Sequence, residues 1–287
     1  MKKFFGYIMM LYGLTPAIVS AQESPNVFKY KMGTVEVCLL SEGQATGNSS
    51  TFVGATPEMI QKCLPDGIFP RSCNAFLIRI SGKNILVDTG YGRVLFENLK
   101  LLGVTPEQID AVLITHVHSD HIGGMLIDDK AAFPNAELYI SKPEYDYSMN
   151  GDARNVAARK AIGAYQSKLH LFQPAEIDAQ LQSLFPGIQA VAAYGHTPGH
   201  TLYMVESGRE KLLIWGDLTH AMAIQMPYPQ VAMTYDINTE MAVAARKKVL
   251  EYVVKNNIPV AGMHTAFPGM GRLSAASDGG YRHTPLQ

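Results

Sequence analysis

The chain has 287 residues, 47% of them hydrophobic and 17% charged, with a formal net charge of −1. This length suits one large α/β domain or two small ones, and a chain of about 300 residues buries roughly three quarters of its unfolded surface. Near-neutral charge and the lack of a long Lys/Arg run exclude an electrostatic case for nucleic acid or an anionic membrane as partner.

At the N-terminus, Lys2 and Lys3 precede an apolar stretch from Phe4 to about Val19, and Val19-Ser20-Ala21 supplies small residues at its end. That order is the pattern of a secretory signal peptide spanning 1–21 and cut after Ala21. The stretch is short for a membrane span and is interrupted by Gly13, Thr15 and Pro16. The remaining chain, 22–287, is expected to be periplasmic or secreted, with no stable membrane association. Of the three cysteines, Cys38 sits in a strand-like apolar run and reads as a small buried hydrophobe. In an oxidising compartment Cys63 and Cys73 can close a short disulfide loop, and the odd count leaves one thiol over.

Residues 33–40 read as a strand, and 41–72, rich in Gly, Ser, Thr and Pro, as a long loop with a helical patch near 57–63. Long loops in compact domains are often functional, so this one is a candidate cavity wall. A layout then occurs twice. Ala75–Ile80, a turn at 81–84 and Ile85–Gly90 form a hairpin ending near an acid, Asp88. Thr201–Glu206, a turn at 207–210 and Leu212–Asp217 repeat it. Both second strands are continuous apolar runs, as expected where both faces of a sheet are covered. Residues 111–115 read as another buried strand. Helical spacing runs through 152–168, by Val156, Ala157, Ile162 and Tyr165, and more strongly through 239–256. The alternation predicts one α/β domain built from two similar halves around a central sandwich.

Three of the nine histidines fall at 116, 118 and 121, directly after the apolar strand 111–115. Residues two apart on an extended backbone point the same way, so His116 and His118 can converge on one ion. A turn into a helix at 122–124 aims Asp120 and His121 at a second position. Imidazole and carboxylate suit zinc and its neighbours. His196 stands in the glycine- and proline-fixed loop 195–200, Asp217 ends the second apolar strand, and His264 follows the short strand 258–263. Each candidate lies just past a strand.

Through the HxHxDH motif of His116, His118, Asp120 and His121, the chain resembles the metallo-β-lactamase superfamily, over almost all of residues 22–287. The resemblance implies an α/β fold, a four-layer αββα sandwich of two similar halves. It implies His116, His118 and His196 as ligands of a first metal and Asp120, His121 and His264 as ligands of a second, with Asp217 bridging. Asp88 matches the acid that orients a ligand histidine, although a turn-capping role fits it as well. The cofactors implied are two divalent cations, zinc first among them. Having both His121 and Asp217, the chain is similar to dinuclear lactonase, thioesterase and phosphoesterase branches. Residues 216–221 and 264–271 look closest to methyl parathion hydrolase-like enzymes and exported N-acyl-homoserine lactonases. Smaller homoserine lactonases carry Tyr where this chain has His220.

The expected activity is hydrolysis of a lactone or ester by a hydroxide held between two cations. Asp120 and His220 are the catalytic candidates, Asp120 passing a proton to the leaving group and His220 assisting or packing in the core. Met222, Ile224, Met226, Tyr228, Met233, Met263, Phe267 and Met270 lie near Asp217 or His264 in sequence and predict an adaptable apolar cavity. A small, lipophilic substrate such as an N-acyl-homoserine lactone is therefore the expected partner, with a homodimer left open. Organophosphate triester hydrolysis, β-lactam hydrolysis and a non-hydrolytic iron-binding redox protein are the alternatives.

Overall fold

A computed structural model describes residues 25–277 and 279–287. The signal peptide expected at 1–21 lies outside the described residues. Two seven-stranded sheets dominate the chain. The first runs, in spatial order, through Val27–Met32, Val35–Asn48, Ile68–Ile80, Lys83–Val87, Ala111–Leu113, Glu137–Ser141 and Leu169–Phe172. The second runs through Gln182–Phe185, Ile188–Ala192, Thr201–Ser207, Glu210–Ile214, Val260–Ala261, Met270–Ala275 and Tyr281–Pro285.

Strand periodicity sorts side chains to the two faces of each sheet. Val37, Leu39, Phe76 and Ile78 of the first sheet meet Tyr203, Val205, Leu212 and Ile214 of the second in the central core. Their neighbours Cys38, Leu40, Leu77 and Leu86 face outward onto helices α2 (Leu95–Leu101) and α5 (Val156–Ala164). Leu202, Met204, Leu213 and Trp215 face helix α7 (Thr239–Lys255) through Val249, Leu250 and Val253. The layers are helix, sheet, sheet, helix, as the sequence predicted. Each fully buried Leu, Ile or Phe contributes on the order of 2 kcal/mol.

The site follows from strand polarity. Lys83–Val87 pairs in parallel with Ala111–Leu113, and Glu210–Ile214 in parallel with Val260–Ala261. The segments leaving these four strands carry Asp88, His116, Asp217 and His264, so both sheets deliver ligand-type side chains at their carboxyl ends, where open α/β sheets bind ligands.

Three expectations need correction. Residues 41–72 are not a long loop. Val35–Asn48 pairs antiparallel with Ile68–Ile80 along most of its length, past a register shift between Ser41 and Gln44. The outer part of this ribbon is largely exposed, so no buried face imposes the alternation that would reveal a strand. The helix expected over 152–168 is shorter, α5 flanked by 3-10 turns, and it buries Ala158, Ala161 and Ile162 while Val156 and Ala157 stay exposed. The cysteines are all free. Buried Cys73 donates its thiol to the carbonyl of Asp120 at 3.5 Å rather than meeting Cys63, and burial pushes that thiol up to about 12. No helix among the described residues is long and apolar enough to cross a membrane.

Candidate metal centre

The segment after Ala111–Leu113 stays extended to His118 and then turns into the single-turn helix α3 (Ser119–Ile122). Glycine is required beside it: a Cβ on Gly123 would lie 2.7 Å from the Tyr91 backbone, and one on Gly124 would lie 2.6 Å from the Thr89 carbonyl. His116 Nε2 thereby lies 3.0 Å from His118 Nδ1, and His196 Nε2 lies 3.0 Å from His118 Nδ1 and 3.2 Å from His116 Nε2. Three ring nitrogens so close cannot all carry protons. Nitrogens ligating one tetrahedral zinc at about 2.0–2.1 Å sit about 3.3 Å apart, close to this triangle.

Beside it, Asp120, His121 and His264 form a second group. His121 Nε2 is 3.8 Å from Asp120 Oδ1, and His264 Nε2 is 3.6 Å from Asp120 Oδ2. Asp217 stands between the groups. Its Oδ1 is 3.1 Å from His121 Nε2, and its Oδ2 is 3.2 Å from His196 Nε2 and 3.0 Å from His264 Nε2. All seven residues named from the sequence therefore meet in one place.

The far ring nitrogens are tied down. His121 Nδ1 is 2.7 Å from Asp88 Oδ2, His196 Nδ1 2.8 Å from Asp236 Oδ1, His264 Nδ1 2.7 Å from the Ser72 carbonyl, and His116 Nδ1 3.1 Å from Thr115 Oγ1. Each partner accepts a hydrogen bond from its imidazole, so the inward nitrogen is the one that gives up its proton when a cation binds, the tautomer a cation requires. Asp88 also accepts from Thr115 N and Oγ1, so it orients a histidine rather than only capping a turn.

Charge makes the same case. Burial opposes ionisation of Asp217, yet the imidazoles of His121, His264, His116 and His220 hold its carboxyl well below the usual range. Burial likewise opposes a proton on His121, but Asp217, Asp88 and Asp120 pull it well above the ordinary histidine value. Buried carboxylates at this density need positive charge among them, as imidazolium or as bound cations. His121 Nε2 and Asp217 Oδ1 are buried without hydrogen-bond partners, facing each other across the gap a cation would fill. The donor set of imidazole and carboxylate without thiolate fits two divalent cations.

His220 belongs to the site too. Its Nε2 lies 2.9 Å from Asp217 Oδ2, its ring stacks on His264 at 4.8 Å, and its backbone N–H is held by Gln225 Oε1. Burial draws its pKa down to about 4, so it is neutral near pH 7. His200, at the end of the loop that carries His196, is buried: the Ala193 carbonyl accepts from Nδ1, while Nε2 accepts the Asp217 N–H at 3.0 Å.

Two acids escaped the sequence reading. Asp236 lies between a two-residue strand, Ala232–Met233, and helix α7, with no motif around it. Glu144, on helix α4 (Lys142–Met149), accepts from Val117 N, Thr197 Oγ1 and Gly199 N, clamping the 116–121 and 196–200 loops together.

The methionine-rich cavity is also a correction. Met226, Met233, Met263 and Met270 are core residues, as is Ile224, and none lines the cleft. Proximity in sequence to Asp217 and His264 is not proximity to the space above them, because the intervening segments turn into the core. The cleft, about 550 Å³, is lined instead by the apolar residues Ile122, Ala157, Ala158 and Ile237 and by Tyr91, Tyr147, Tyr235 and Arg71.

Comparison with known proteins agrees with this geometry. The family model for the Metallo-beta-lactamase superfamily matches residues 68–257. An N-acyl homoserine lactonase of Bacillus cereus is 24% identical over 169 residues, 55% of this chain and 56% of that protein, so the match spans about half the length of this curated relative. Among solved structures, hydrolase AbOPH of the beta lactamase superfamily has a TM-score of 0.81 at 28% identity, covering 93% of this chain and 99% of its own. AidC, a dizinc quorum-quenching lactonase solved with a product, has a TM-score of 0.81 at 26% identity, covering 91% of this chain and 98% of its own. The family match takes in every loop of the centre except the one that carries His264, and on it the chain belongs to the metallo-β-lactamase superfamily.

Proposed function

We propose that the protein is a metal-dependent hydrolase with two divalent cations, cleaving a lactone or carboxylic ester whose acyl part is apolar. The observation that carries the reading is the position of Asp217, one oxygen at 3.1 Å from His121 Nε2 and the other at 3.2 Å from His196 Nε2, between two sets of inward-facing lone pairs. His116, His118 and His196 would hold the first cation, Asp120, His121 and His264 the second, and Asp217 would serve both. The likeness to AidC supports a lactone, and Ile122, Ala157, Ala158 and Ile237 offer an apolar wall for an acyl chain.

When bound, a pair of such cations makes water acidic enough to attack near neutral pH and polarises the scissile carbonyl. The protein's own residues do the rest. Asp120 opens onto the cleft, so it is placed to receive a proton there and return it to the departing oxygen. Neutral His220 donates from Nε2 to Asp217 Oδ2 and fixes which lone pairs of that carboxylate face the centre. Asp88 and Asp236 keep His121 and His196 in the ligating tautomer. The basic, apolar and small residues of 2–21 support export, which would place this chemistry in the periplasm or outside the cell.

Metal analysis of the purified, reconstituted protein tests the first part, and a content below one cation per chain would end the dinuclear reading. Rates on acyl-homoserine lactones, aryl esters, phosphotriesters and a chromogenic cephalosporin test the second. The expected result is highest kcat/KM on a lactone or ester, and a preference for the cephalosporin or the triesters would overturn it.

A further inference from the structure

The cleft over the centre has a second arm. A smaller cavity of about 280 Å³ adjoins it, and Arg71, Tyr91, Asp120 and His264 line both. Its remaining walls include Glu42, Gln44, Cys73 and Arg93. Arg71 thus stands where the two spaces meet, on the side of the second ligand group.

The strand that carries Arg71 is fastened to that group at three successive residues. Ser72 accepts from His264 Nδ1 at 2.7 Å, and Cys73 donates to the Asp120 carbonyl at 3.5 Å. The Asn74 side chain donates to the carbonyls of Gly262 and Thr265 at 3.0 and 2.9 Å. A residue anchored in this way holds its side chain at the cleft with little backbone freedom to lose on binding.

Arg71 stands without a charge partner among the described residues. No carboxylate among the described residues forms an ion pair with it, whereas Arg154, the other arginine of the large cleft, is paired with Asp152 at 2.6 Å. Glu42, the acid on the small arm, is committed to the backbone N–H groups of Tyr91, Val94 and Leu95 at 2.5, 3.3 and 3.0 Å. Arg93 adds a second cation, stacked over the Tyr91 ring at 4.6 Å. Half-buried, with five donors in a planar fork, an unpaired guanidinium suits a planar anion with two oxygens.

We propose that Arg71 is a specificity residue that binds a carboxylate of the substrate in this second arm, so that the substrate class is an ester or lactone carrying a carboxylate away from the scissile bond. The inference rests on the hydrolase reading above. In it, the apolar part of the substrate lies toward Ile122 and Ile237 and the charged end toward Arg71 and Arg93.

The test compares metal-loaded wild type with Arg71→Gln and Arg71→Lys on two esters of the same apolar acyl group, 2-nitrophenyl butyrate and 3-butyryloxy-4-nitrobenzoate, the second carrying a carboxylate on its leaving group. The quantity read is the ratio of their kcat/KM values. Wild type is expected to favour the nitrobenzoate ester, Arg71→Gln to reduce that preference roughly tenfold or more, as loss of a charge-assisted bond implies, and Arg71→Lys to restore part of it. A ratio unchanged in Arg71→Gln, or a wild-type preference for the uncharged ester, overturns the proposal. Calorimetric binding of free benzoate, with metal content measured alongside, gives a readout without turnover. Affinity roughly tenfold weaker in Arg71→Gln at equal metal content supports the subsite, and equal affinity overturns it. If wild type cleaves neither ester, the hydrolase reading fails while the benzoate affinities still decide the role of Arg71.

Discussion

His196 Nδ1 lies 2.8 Å from Asp236 Oδ1, and the other oxygen of Asp236 accepts the Met233 N–H at 2.9 Å and faces Arg246 Nη2 at 3.9 Å. Arg246 is itself buried, donating to the carbonyls of Leu218, Pro229 and Val231. A ligand histidine is thus oriented by an acid whose place is set by a cation locked into the loop that follows Asp217. Asp236→Ala removes the acceptor and frees His196 to take the wrong tautomer. Cation affinity, measured by competition with a chromophoric chelator, is expected to fall 10- to 100-fold. Unchanged affinity would make Asp236 only a loop-fixing residue.

The difference between Asp236 and the 116–121 cluster explains what was legible in the sequence. His116, His118, Asp120 and His121 sit on a local motif after an apolar strand, so their convergence is encoded within six residues. Asp217 is legible because it ends an apolar strand, where a buried acid needs a partner, whereas Asp88 is legible as a histidine-orienting acid only through the family resemblance. Asp236 and its partner His196 are 40 residues apart, joined by folding alone. The one hint in the sequence is an acid in the mostly apolar stretch 231–237 just before the helix cap Asn238. The exposed outer part of the Val35–Asn48 and Ile68–Ile80 ribbon was missed for the opposite reason: without a buried face, strand residues carry no alternation.

His220→Phe separates positioning from ligation. The ring can still stack on His264, but the 2.9 Å contact to Asp217 Oδ2 is lost. The expected outcome is kcat lowered by roughly tenfold, the value of one hydrogen bond of about 1.4 kcal/mol, with both cations retained. Loss of a cation in the variant would show instead that His220 is a ligand.

Gly216 adopts a left-handed backbone, φ +54°, and a Cβ there would stand 2.4 Å from His200 Nε2. That nitrogen accepts the Asp217 N–H, so the added methyl strikes the contact that holds the bridging acid's backbone. Gly216→Ala combines left-handed strain of roughly 1–2 kcal/mol with a clash against a buried ring. A lower Tm and reduced cation content are expected together. A folded variant with full cation content would show that His200 can yield without moving Asp217.

Removal of the cations is expected to destabilise the fold itself. Asp88 and Asp217 are both within 3.1 Å of His121, with Asp120 at 3.8 Å, and without cations only protons on the histidines offset these charges. Ligands that bind the native state alone stabilise it by mass action, about 4 kcal/mol at a thousandfold excess over Kd. Dialysis against a chelator at pH 7.5 is therefore expected to lower Tm by several degrees, and added zinc to restore it. The same protocol applied to His116→Ala, which lacks a first-group ligand, is expected to give a smaller drop. A Tm that does not respond to chelation in the wild type would mean that the imidazoles and carboxylates balance one another unaided, and that the centre is a self-sufficient buried ion-pair network.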